Sequence, residues 1–164
     1  MKRADTADIT GTADRAPLAA PRLSVSALTP GTYRAMAEFG RVAEEGLDPV
    51  IANLVKIRAS QVNGCAFCVD LHTRQARAAG ETEQRLYALP AWQAAPFFGD
   101  RERAALALTE AVTAVSEGRV PDEVYAAAAS RFDQPELAQL LWTVAAINAW
   151  NRIAVSTGMT PPAS

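Results

Sequence analysis

A chain of 164 residues with 49% apolar content is long enough to close a hydrophobic core, and one domain is the default expectation. Its formal net charge of −2 and pI near 5.4 argue against nucleic acid or an anionic membrane as partner, since both select strongly basic surfaces. Met1, Lys2 and Arg3 lead into a polar stretch from Ala4 to Asp8, and no segment approaches ~18 consecutive apolar residues, so the expectation is a soluble, cytoplasmic protein.

Residues 1–22 are rich in Ala, Thr, Asp and Pro without apolar periodicity and read as a flexible arm. From there to residue 158 nearly every segment carries helix signals, which predicts an all-α fold. The first helix starts at Thr29-Pro30 and closes at Gly46, since Thr suits a cap and Pro the first turn. Asp48-Pro49 repeats that signal and opens a helix with Val50, Leu54 and Ile57 on one face and Ile51, Val55 and Val62 on another, so it should be buried. Asn63-Gly64 interrupts it. A helix from about Cys65 to Ala79 follows, stopped by Gly80. A short helix spans 82–88, and the Pro90 to Gly99 loop carries Trp92, Phe97 and Phe98 back onto the core. Asp100 is expected to cap the next helix, with Ala105, Leu108, Val112 and Val115 in register up to Gly118. Another runs from Pro121-Asp122 to about Arg131. The last begins at Gln134-Pro135, carries a stripe of Leu137, Leu140, Leu141, Val144 and Ile147, and ends at Gly158. Residues 159–164 read as a loose tail.

The chemistry-bearing pattern is Cys65-x-x-Cys68-x-x-x-His72 at the start of a helix. Residues three and four apart share a helix face, so Cys65 neighbours Cys68, and Cys68 lies one turn from His72. Neighbouring turns can bring Cα atoms within the roughly 4.4–6.8 Å that a disulfide needs. Free amides and the helix dipole at that end favour a thiolate, lowering a thiol from about 8.5 toward the ~3.5–7.5 of activated cysteines. His72, the only histidine, can take a proton from Cys68 or stabilise its anion. The pattern therefore points to a thiol redox centre that reduces a peroxide or a disulfide. Two plainer readings compete: inert buried cysteines beside a hydrogen-bonded histidine, and structural zinc. Zinc wants four ligands, and the chain offers only two thiolates and one imidazole, with Asp70 on the far side of the helix.

The segment from Asp48 to Gly80, with Lys56 to Gln61 ahead of Asn63-Gly64-Cys65-Ala66-Phe67-Cys68 and His72, resembles the alkylhydroperoxidase D (AhpD) family within the carboxymuconolactone decarboxylase-like superfamily. The likeness continues through Arg101 to Leu108 and Ala146 to Arg152. It implies a bundle of about six to seven helices that assembles into trimers or hexamers, and an antioxidant peroxidase cycle without haem, flavin or metal. The substrate would be hydrogen peroxide or an organic hydroperoxide, and the electrons would come from a thiol or a disulfide reductase. Carried over by position, Cys68 attacks the peroxide, Cys65 resolves the sulfenic acid as a disulfide, and His72 relays protons. The decarboxylase branch lacks the cysteine pair, so lyase chemistry is the poorer match.

One position departs from the family pattern. The relay glutamate expected twelve residues before the first cysteine is Asn53 here. Asn can orient a water or a ring nitrogen but cannot take up a proton, and general-base help contributes about 10² to 10⁴ in rate. Glu44, Glu45 and Glu102 are candidate substitutes, each with a solvated surface charge as its default reading. Asn53 also motivates an alternative: a redox-sensing or disulfide-exchange module with little turnover. Lys56 and Arg58 read as solvated or paired surface cations. Trp142, Trp150 and Phe132 read as core or subunit interface rather than a substrate box.

Overall fold

A computed structural model of the chain describes residues 20–162. Among these residues there are eight α-helices and no strand: α1 Val25–Leu28, α2 Pro30–Ala43, α3 Pro49–Val62, α4 Ala66–Ala78, α5 Glu83–Ala88, α6 Asp100–Thr113, α7 Asp122–Ala129 and α8 Gln134–Thr157, with a short 3-10 turn at Leu89–Ala91. Most of the expected N-terminal arm lies outside the described residues. Within the expected tail, Met159 packs against the buried cluster that contains Cys65 and Cys68.

Helix α3 is the axis of the fold, because its apolar side chains surround it. Asp48 caps it by accepting from the amides of Val50 at 2.8 Å and Ile51 at 3.4 Å, with Pro49 in the first turn. Ile51, Ala52 and Val55 pack into one cluster with Ala105 and Leu108 of α6 and with Leu140 and Val144 of α8. Leu54 and Ile57 enter a second cluster with Leu86, Leu89, Trp92, Phe98 and Leu106. The loop aromatics Trp92 and Phe98 do fold back, whereas Phe97 stays exposed.

Several sequence expectations need correction. Val50 and Val62 are exposed, because they sit at the two ends of α3, beyond the helices that cover its middle. Asp100 is the first helical residue rather than the cap of α6. Gly99 occupies the cap position, and its amide donates to the Glu102 carboxylate at 2.7 Å. Val115 lies past the end of α6 and is exposed. The short helix α1 was not anticipated, since four residues without a buried member leave no periodicity to read. The longest helix, α8, is held at its start by reciprocal bonds between Asp133 and Glu136 and stopped by Gly158 at φ 70°. It lies against α2, α3, α4 and α6, which brings its polar residues to the cysteine pair.

Candidate active site

The site is made by the tight link between α3 and α4. Gly64 takes a left-handed φ of 66°, and the Cys65 amide donates back to the Ser60 carbonyl at 2.9 Å. Cys65 thereby becomes the N-cap residue of α4, and its Sγ accepts from the Cys68 amide at 3.3 Å. The two sulfurs share a contact of 2.6 Å. Both residues are free cysteines and both are buried.

Behind the sulfurs stands a buried amide network contributed by α3 and α8. The Asn63 side-chain amide donates to Asn148 Oδ1 at 2.9 Å and Asn151 Oδ1 at 2.8 Å. With its oxygen so engaged, Asn151 turns its nitrogen toward Ser60, donating to Oγ at 3.0 Å, and toward the cysteines. Ser60 Oγ in turn donates to the Lys56 carbonyl at 2.7 Å.

These contacts separate the two thiols. Cys65 is lowered to about 7, chiefly because its anion accepts a hydrogen bond from Cys68; the Cys68 amide and Asn151 help, against the cost of burial. Cys68 is pushed up, first because it is the donor in that bond and second by burial, with Asn151 opposing. The helix-start effect expected from the sequence therefore falls on Cys65. A pair this close loses its first proton as a unit, with the charge centred on the capping sulfur.

Access is divided the other way. Cys68, and not Cys65, borders a cavity of about 160 Å³ walled by Tyr33, Phe67, Leu71, His72, Trp150 and Met159. His72 is half-buried, and burial is the main cause holding its pKa below the ordinary value. Its Nδ1 bonds Gln75 Oε1 at 2.8 Å rather than a sulfur. Since a carboxamide oxygen only accepts, Nδ1 carries the hydrogen and Nε2 is the free acceptor.

On its other side His72 borders a polar pocket of about 510 Å³, together with Arg41, Glu44, Asn53, Lys56 and Gln75. Asn53 lines the same pocket as His72. Of the three substitute acids, only Glu44 is there. Glu45 pairs with Arg41 on the surface, and Glu102 is held by Arg85 at 2.5 Å. Lys56 is a buried cation bonded to Glu44 at 2.7 Å, and Arg58 pairs with Glu110 at 2.7 Å. Among the described residues no three His, Cys, Asp or Glu side chains converge as a metal-ligand set.

The aromatics divide in a way the sequence did not show. Phe132 is core. Trp142 is exposed, edge-on to Phe39. Trp150, expected as packing alone, also walls both cavities, because α8 passes between α2 and α4. Glu44 was one of three candidate acids, whereas the roles of Ser60, Asn63 and Asn151 were missed. Their only signal was polar residues in otherwise apolar helices, which does not say what they face.

The family model for carboxymuconolactone decarboxylases matches residues 30–111. An uncharacterized protein of Bacillus subtilis, YdfG, is 39% identical over 138 residues, covering 84% of this chain and 94% of its own. The crystal structure of a protein of unknown function from Agrobacterium tumefaciens, with a proposed antioxidant-defence role as AhpD, matches at a TM-score of 0.86 and 32% identity over 88% of this chain and all of that one. An uncharacterized peroxidase-related protein of Ralstonia eutropha, an alkylhydroperoxidase AhpD core, shares the fold at a TM-score of 0.74 and 21% identity over 84% of this chain and 74% of its own. The chain belongs to the carboxymuconolactone decarboxylase family and has the AhpD-like helical fold.

Proposed function

We propose that the protein is a cysteine-dependent hydroperoxide reductase that cycles through a disulfide between Cys65 and Cys68. The observation that carries this reading is the asymmetry of the pair: Cys68 borders the cavity, while Cys65 touches it from behind at 2.6 Å. Likeness to the Agrobacterium protein, with its proposed antioxidant role, supports it.

At rest the pair shares one proton and the charge lies on Cys65 above pH about 7. Uptake of the Cys68 proton by Cys65, or by neutral His72 across the cavity, leaves a Cys68 thiolate facing substrate. Its sulfur attacks the outer peroxide oxygen and the O–O bond breaks. The leaving alkoxide takes a proton and departs as an alcohol, and Cys68 becomes a sulfenic acid. Cys65 then attacks Cys68 Sγ; the S–S bond forms, the S–O bond breaks, and hydroxide leaves as water on taking the second proton. The pair thus supplies the two electrons and its one proton, and solvent supplies the second proton, to convert the hydroperoxide to alcohol and water. A dithiol or a disulfide reductase restores them.

Peroxide consumption by the full chain under excess dithiol tests this. Cys68→Ser is expected to fall to the background rate, and Cys65→Ser to stop at a sulfenic acid that a carbon nucleophile traps on Cys68. Full activity in Cys68→Ser would overturn the assignment.

A further inference from the structure

The polar pocket behind His72 has a use that the thiol chemistry alone does not require. An imidazole that accepts a proton in the cavity must release it, and burial makes the imidazolium costly to hold. The cavity wall around it is aromatic, aliphatic or sulfur. The opposite pocket contains one carboxylate among its lining residues, that of Glu44.

Three features suit Glu44 to that role. It is the residue just after α2, and it lines the pocket together with Arg41 from the end of that helix. Its side chain is 36% exposed, against 10% for its partner Lys56, so it meets both the pocket and solvent. The Lys56 ammonium, donating at 2.7 Å from a buried position on α3, holds the carboxylate in place. Asn53 beside it offers no titratable group.

We propose that Glu44 is the proton acceptor of His72, a positioning residue that carries the imidazole proton to solvent and stands in for the carboxylate missing at Asn53. This rests on the peroxidase reading. The titratable or charged groups that share a cavity with His72 are Cys68 on α4, Tyr33 and Arg41 on α2, Glu44 itself and Lys56 on α3. Helix α8 contributes Trp150 and Ala154, which do not titrate. Arg41 is already paired with Glu38 and Glu45, so removal of the Glu44 charge should leave Lys56 as the unopposed cation acting on the imidazole.

The chain has a single histidine, so one pair of ring resonances in a proton NMR titration reports His72 without assignment. In Glu44→Gln, whose carboxamide oxygen still accepts from Lys56, the His72 pKa is expected to fall further. Turnover should drop on the order of 10²-fold in kcat with little change in KM, while the pH profile of cysteine alkylation stays as in the parent. Adding Asn53→Glu to Glu44→Gln should restore both the His72 titration and kcat. An unchanged His72 titration and unchanged kcat in a folded Glu44→Gln would overturn the proposal. So would a kcat loss that Asn53→Glu does not rescue. If the parent chain consumes no peroxide, the peroxidase reading fails on its own; the NMR arm still decides whether Glu44 and His72 are coupled.

Discussion

Cys65 and Cys68 carry the same side chain at nearly the same burial, 2% and 3% exposed, yet backbone position gives them opposite tendencies. Cys65 caps α4 and collects an amide, a thiol and the Asn151 carboxamide as donors; Cys68 supplies two of them, its own amide and thiol. A thiolate whose pKa is lowered exists above that value and is lost as pH falls through it. The ultraviolet absorbance of the thiolate should therefore rise with a midpoint near pH 7, not near the ~8.5 of a free thiol. In Asn151→Ala the midpoint should move upward, since a donor to both sulfurs is gone. A midpoint that stays put would mean that the amide network only packs the helices together. His72, shifted down by burial, is neutral at pH 7 and is available as a base.

At the scale of elements, the helix boundaries depended on residues whose effect is local. Asp48-Pro49, Asn63-Gly64, Gly80, Gln134-Pro135 and Gly158 all stand at or beside the breaks read from the sequence. Capping was less legible where two residues compete. Asp48 accepts two amides, so Asp48→Ala should cost about 1 kcal/mol in urea unfolding. Asp100→Ala should cost less, because Asp100 offers α6 only a first-turn charge and an exposed pairing with Arg131. Equal losses would mean that Asp100 caps the helix in solution. The cysteine motif was legible for the same local reason: three residues at a helix start bring two sulfurs together regardless of the rest of the fold.

At the scale of the molecule, burial is decided by what covers each helix rather than by its own stripe. Leu108 lies fully buried between α3 and α8, and Leu108→Ala should cost about 2–5 kcal/mol. Val50 belongs to an equally good stripe in sequence but lies open at the helix end, so Val50→Ala should stay within about 0.5 kcal/mol. Denaturant midpoints of the two variants check the contrast; a similar loss at Val50 would place it in a covered surface. The same dependence on coverage moved Trp150 from packing to cavity wall and Trp142 to the surface.

By itself the sequence determined the all-helical class, most of the helix boundaries, and the grouping of Cys65, Cys68 and His72, because each rests on interactions within a turn or two of chain. Tertiary structure alone decided which sulfur faces the cavity, which one the donors favour, and which glutamate stands by His72. Those outcomes depend on contacts such as Asn63 to Asn151 and Glu44 to Lys56, where the chain returns to itself from distant helices and no local periodicity records the meeting.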